Sequence, residues 1–180
     1  AAGMKYVVLT TKHHEGFCMW DSIYTDYKCT NTPAGRDLVR EYVDAFRAEG
    51  MEIMFHYSIL DLNAKLVRNH VTLDHIEMIK EQVRELLTNY GPIKALMFDG
   101  WDAPWSRLNY DEIPFEDIYR LAKSIQPNCL VMDLNGAKYP SEGLFYSEIK
   151  TFEQGAGQKI SKDKNFLPSM ACYQMQKTWF

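Results

Sequence analysis

IKALMFDGW, residues Ile93 to Trp101, decides the fold. Ile93 to Phe98 is short, almost wholly apolar and bounded upstream by the breaker Gly91-Pro92. That is the pattern of a strand buried on both faces, as in a parallel sheet. A helix of so few residues would be marginal. The run closes on Asp99, with Gly100 and Trp101 directly after it. Parallel α/β folds bind ligands at the carboxyl ends of their strands. A carboxylate there, beside a flexible glycine and an indole, is a candidate catalytic acid, base or nucleophile. Asp also caps loops at strand ends, and this stretch alone leaves both roles open.

Working outward, apolar positions at helical spacing predict helices over 37–49, 72–90 and 114–125. Gly50 closes the first, Thr72 is placed to cap the second, and Pro114 lies in the first turn of the third. Runs rich in β-branched and apolar residues predict strands near 4–11, 51–57, 93–98, 128–133 and 144–149. The segment 151–168 reads as loop, and the end of the chain stays open between assignments. Strand and helix thus alternate with a repeat of about 40 residues, which implies a parallel sheet with right-handed crossovers. A (β/α)8 TIM-like barrel and a doubly wound sheet both fit. The absence of GxGxxG and GxxxxGK[ST] weakens nucleotide-binding versions, and long aromatic loops after the strands favour the barrel. A whole barrel takes about 250 residues, so about five strands in 180 residues lead to the expectation of an incomplete barrel, a partial catalytic domain over residues 1–180. Its unpaired sheet edge is expected to make the isolated segment prone to aggregate.

The remaining composition narrows the function. The net charge is −4 with no basic cluster, which argues against nucleic acid. No apolar run approaches the roughly 20 residues of a membrane span. Cys18, Cys29, Cys129 and Cys172 show no CxxC spacing. Polar side chains gather after the strands: His13, His14 and Glu15; His56 and Tyr57; Asp99 and Trp101; Asp133 and Asn135; Glu148 and Glu153. A barrel would collect them on one face. His and Asp are common metal ligands, but HxH and HExxH are absent, so neither a metal nor a cofactor is expected. Two carboxylates facing one bond, with imidazole donors and aromatic faces around them, would suit glycoside chemistry.

VVLTTKHHEGFCMWDSIYTDY at 7–27, HYS at 56–58 and LLTNYGPIKALMFDGW at 86–101 together resemble the retaining alpha-L-fucosidases, glycoside hydrolase family 29. The likeness covers roughly residues 4 to 101 closely and continues more weakly to the end. It implies a (β/α)8-like catalytic domain and release of terminal alpha-L-fucose from a fucosylated glycan. It also implies a secreted, periplasmic or lysosomal setting. By the same resemblance Asp99 is the nucleophile, His13 and His14 bind fucose hydroxyls, Tyr57 lies in the same pocket and Trp20 nearby in the long loop; Trp101, at the same strand end as Asp99, is also expected to border the pocket. The acid/base is the family's least fixed element; Glu153 is the candidate and Glu148 the alternative. This sequence departs from the family in having Met97 where a Trp is usual. VMDLNG offers Asp133 and Asn135 where an Arg is often found. The family's first strand, with a further fucose-binding His, is expected to precede residue 1. Two other classes remain open at this point: a non-catalytic fucose-binding relative, and a metal-dependent hydrolase built on the His pair.

Overall fold

The computed structural model describes residues 3–101, 103, 106–134, 147–153 and 168–172. Among them a single sheet contains β1 (Tyr6–Lys12), β2 (Glu52–Ser58), β3 (Ala95–Asp99), β4 (Leu130–Asp133), β5 (Lys150–Glu153) and β6 (Ser169–Cys172). Helices α1 (Leu38–Ala48), α2 (Leu73–Thr88) and α3 (Phe115–Ile125) cross between the first four strands. Every pairing is parallel and the spatial order is the chain order. A doubly wound sheet would reverse its order at a switch point. Here each strand is laid against the previous one in a constant direction, as in a (β/α)8 barrel. The sheet is not closed among the described residues, and the fold is that of an incomplete barrel.

The helices form where the local chemistry dictates. Asp37 caps α1 by accepting the Arg40 backbone N–H, and Gly50 stops it in a left-handed conformation at φ 71°. Thr72 and His75 close a reciprocal capping box on α2. Pro114 takes the N-cap position of α3, one residue outside the helix.

All five residues of β3 are buried, and six of the seven in β2. Their side chains divide between two apolar clusters by strand alternation. Ile53, Phe55, Tyr57, Leu96, Phe98 and Val131 pack against the helices, meeting Val43, Ile79, Val83 and Ile118. Met54, Ala95, Met97, Met132 and Leu134 form a second cluster on the opposite, interior face. Residues in register in a parallel pair point the same way, and Ser58 is in register with Asp99 and His56 with Met97. This parity fixes which strand-end side chains can meet.

The fifth strand differs from expectation. It was expected over 144–149; residues 144–146 lie outside the described ones, 147–149 are not strand, and β5 starts at Lys150. The hydrogen bonds of 147–149 go elsewhere. Ser147 Oγ accepts from Asp133 N at 3.0 Å and Glu148 N donates to Val131 O at 2.9 Å, so these residues lie across β4 before the ladder begins. The segment from 151 was read as loop, yet Thr151–Glu153 complete β5, and Ser169–Cys172 add a sixth strand.

The helix-side cluster carries the sheet's stability. Phe98 is wholly buried and meets the rings of Tyr57, Trp101 and Phe115 edge-on. Phe98→Ala is expected to destabilise the protein by about 3–5 kcal/mol. Urea unfolding checks this: the midpoint falls while the slope is unchanged.

Candidate active site

Alternation along β3 turns Asp99 to the interior face, and the same parity brings in His56 and Ser58 from β2. His14 reaches the cluster from the loop after β1. Asp99 is 5% exposed, and its Oδ2 lies 3.5 Å from His14 Nε2 and 3.4 Å from His56 Nε2. His14 Nδ1 contacts Ser58 Oγ at 2.7 Å. His13 lies against His14 with ring centroids 3.8 Å apart, and its own Nδ1 faces Glu15 at 3.4 Å on the open side. His56 is nearly buried, and its Nδ1 has no hydrogen-bond partner among the described residues. The result is a carboxylate at a strand's carboxyl end, lined by three imidazoles and open toward His13.

Burial sets the protonation of this group. His14 is pushed down to about 4, first by desolvation; the Asp99 charge opposes this, while His13 and His56 add to it. At neutral pH it is an uncharged imidazole beside the carboxylate. Such a ring can donate at one nitrogen and accept at the other, the versatility that sugar hydroxyls require. His13, His14 and Asp99 also offer ligand atoms that all lie within 4.8 Å of one another. Two imidazoles and a carboxylate are a donor set that zinc accepts.

Beneath the His pair, on the helix side, lies a fully buried lysine. The register between β1 and β2 shifts between Thr10 and Lys12. That irregularity buries both Thr11 and Lys12. Lys12 Nζ contacts Asp61 Oδ2 at 3.1 Å and Gln82 Oε1 at 3.2 Å, and lies 4.5 Å from the centroid of the Tyr57 ring. Asp61 also accepts the Ala64 N–H, and its loop clamps the histidine segment: Leu62 N donates to His14 O at 2.9 Å and Asn63 N to Glu15 O at 3.3 Å. Gly16 is required at the same point. It has φ +90°, and a Cβ there would lie 2.1 Å from Asp61 Oδ1.

The structure brings together His13, His14 and Asp99 from the residues singled out in the sequence, while the aromatic candidates pack into the helix-side cluster. Tyr57 is wholly buried on the helix side, donating to Gln82 at 2.6 Å. Trp101 is buried too and donates its indole N–H to Ile113 O at 2.8 Å, stacked on Tyr110. Trp20 packs into the helix-side cluster and donates to Glu85 at 2.8 Å. An indole N–H or phenol O–H that finds a partner in the wall serves packing. Asp133 likewise faces the helix side, accepting from Tyr110 at 2.6 Å, and Asn135 lies outside the described residues. Ser58 is the residue that sequence reasoning gave no role, and His56, grouped with the strand-end polar residues, was left without one in favour of Tyr57. The signal was available: counting by twos from Tyr57, the neighbours on either side share the opposite face.

The two acid/base candidates separate. Glu148 sits before β5, at the amino end of that strand. Both its carboxylate oxygens are 3.0 Å from Lys123 Nζ, and Oε2 accepts the Val131 N–H at 2.8 Å. This corrects the alternative assignment: Glu148 pins α3 to β4 and is committed to that task. Glu153 ends β5, at the carboxyl end of the sheet where Asp99 ends β3.

The family model described as alpha-L-fucosidase matches residues 1–180. Alpha-L-fucosidase 1 of Arabidopsis thaliana is 32% identical over 133 residues, which are 72% of this chain and 26% of that protein. The solved alpha-L-fucosidase isoenzyme 1 of Paenibacillus thiaminolyticus superposes with a TM-score of 0.74 at 37% identity, covering 95% of this chain and 45% of that one. A family 29 alpha-L-fucosidase of Bacteroides thetaiotaomicron, solved as a trapped covalent intermediate with 2-fluoro-fucosyl fluoride, has a TM-score of 0.61 at 32% identity. It covers 71% of this chain and 30% of that one. The chain therefore spans less than half the length of these relatives.

Two outcomes are expected from the geometry. Lys12→Met strands the Asp61 charge in the wall, a loss of about 3–5 kcal/mol. Adding Asp61→Leu to that variant should restore part of the loss, as the melting of the single and double variants will read. For His14, the folded value of about 4 lies below the unfolded 6.5. Between those limits the unfolded chain binds the proton that the folded one refuses. Stability from this group is thus complete above pH about 6.5 and falls as pH drops toward 4. His14→Gln should flatten the stability–pH curve in that window.

Proposed function

Because the chain belongs to the alpha-L-fucosidase family, we propose that it carries the nucleophile of a retaining exo-glycosidase that releases terminal alpha-L-fucose from fucosylated glycans. The observation that carries this reading is Asp99: a buried carboxylate at a strand's carboxyl end, with His14 and His56 at 3.5 and 3.4 Å from one oxygen. The relative solved as a covalent fucosyl intermediate supports the same chemistry. The chain is one portion of the catalytic barrel, consistent with its 26–45% share of the relatives' lengths.

In the double displacement, an Asp99 oxygen attacks the anomeric carbon while the bond to the leaving oxygen breaks. A second carboxyl group gives that oxygen its proton. The same group, now a carboxylate, then takes a proton from water as the water attacks the anomeric carbon and frees Asp99, so configuration is retained. Glu153 is proposed for this acid/base role, supported by its position at the carboxyl end of β5. The neutral His14 and the outer His13 hold hydroxyls, and His56 buttresses the nucleophile. The double displacement needs no metal, and the His13, His14 and Asp99 donor set is checked separately with a chelator.

The test uses the full-length protein carrying this chain. It should hydrolyse an aryl alpha-L-fucoside and ignore the other sugars of an aryl glycoside panel. Asp99→Asn should lower kcat at least about a thousandfold, and a chelator should change nothing. Glu153→Gly should lose poor leaving groups far more than activated ones, and azide should restore turnover with retained configuration. Turnover of another sugar without the fucoside overturns the assignment. Fucose binding without turnover would make the protein a sugar-binding relative, and chelator sensitivity would install a metal at the His pair.

A further inference from the structure

The environment of Ser58 decides what His14 can offer. Ser58 is wholly buried at the end of β2, in register with Asp99. Its hydroxyl has one proton, and two groups lie within reach: Leu60 O at 3.0 Å and His14 Nδ1 at 2.7 Å. A carbonyl oxygen can only accept. The serine proton is therefore spent on Leu60 O, and the short contact with His14 is satisfied only if Nδ1 carries the hydrogen and donates it to Oγ. The reverse arrangement would set the Leu60 carbonyl against the lone pairs of Ser58, with no proton between them.

This has a consequence at the other nitrogen. A neutral imidazole protonated at Nδ1 presents a lone pair at Nε2. His14 Nε2 stands 3.5 Å from Asp99 Oδ2, so two acceptors face each other across the mouth of the site. A hydroxyl of the sugar carries one proton and can donate it to the Nε2 lone pair. A donating Nε2–H would instead hydrogen-bond the carboxylate and dampen the nucleophile. Burial agrees with the neutral ring, since it lowers His14 to about 4.

We propose that Ser58 is a positioning residue that fixes His14 in its Nδ1–H tautomer, so that Nε2 accepts a hydrogen bond from a hydroxyl of the sugar instead of donating one to Asp99. The inference rests on the fucosidase reading for the identity of the sugar. It stands on the structure alone for the tautomer.

The experiment is long-range proton–nitrogen correlation of histidine rings in the full-length protein at pH 7, without ligand, with His14 assigned by the signal lost in His14→Gln. The parent protein should show His14 protonated at Nδ1. Ser58→Ala, which removes two contacts and leaves only a small cavity, should move His14 to the other tautomer or to a mixture. It should also lower kcat/KM on the fucoside about 10- to 100-fold, the scale found for groups that orient a functional imidazole. A merely structural serine would change stability and leave the tautomer as it was. An Nε2–H tautomer in the parent, or an unchanged tautomer in Ser58→Ala, overturns the proposal. If the tautomer shifts as expected but the protein turns over a sugar other than the fucoside, the fucosidase reading fails and the role of Ser58 stands.

Discussion

The ion pair between Lys12 and Asp61 is the constraint on which the site depends. A buried ion pair gains from its mutual attraction but loses the hydration of two charges, so it contributes little net stability and makes breakage costly. Here the pair is completed by Gln82 and the face of Tyr57, which leaves the ammonium with partners on several sides. What the arrangement secures is geometry. Lys12 is the residue before the His pair, Asp61 lies on the loop that clamps the backbones of His14 and Glu15, and Gln82 belongs to α2. Three segments distant in sequence meet at one charge. Gly16 takes a left-handed conformation because the Asp61 carboxylate fills the place of a side chain.

Much of the fold was legible because burial on both faces leaves a plain mark. The near-continuous apolar runs of β2 and β3, the helical stripes and the caps at Asp37 and Thr72 each follow from local chemistry. Asp99 was legible for the same reason, as the polar residue that ends such a run. The partition of neighbours was less so. Tyr57 drew the eye as an aromatic, yet His56 has the side shared with Met97 and Asp99, which cross-strand register decides. The irregularity at Thr10–Lys12 buries two consecutive residues and disrupts alternation just before the His pair. Trp20 and Trp101 were read as pocket walls, but Glu85 and Ile113 O satisfy their indole N–H groups within the helix layer. Glu148 was misplaced because β5 begins later than its apolar neighbours suggest. Its partner Lys123, 25 residues away, is invisible to local reading.

The two faces of the sheet do different physical work around Asp99. Behind it, Tyr57, Phe98, Trp101 and Phe115 meet largely edge-on, with ring centroids 5.0–6.3 Å apart. Such contacts are directional and give a stiff backing. On the interior face the neighbours are Met54, Met97 and Met132, unbranched and polarisable side chains that fill irregular space. The strand end is thus held from the helix side while the interior beneath it can adapt. Met97, which stands where the resembling family usually has Trp, belongs to that adaptable layer.

This division bears on how the Asp99 carboxylate can be both buried and charged. A carboxylate out of water needs compensation. A cationic histidine would supply it, but would also tie the carboxylate into an ion pair. The neutral His14 avoids that, and His56 Nε2 stands 3.4 Å from the same oxygen. The Nδ1 of His56 has no hydrogen-bond partner among the described residues. Two imidazoles at one oxygen thus differ. One has an Nδ1 without a partner among the described residues, and the other sets its Nδ1 2.7 Å from Ser58 Oγ. Their difference arises from the groups beyond each ring, which is why neither residue's role could be assigned from its identity alone.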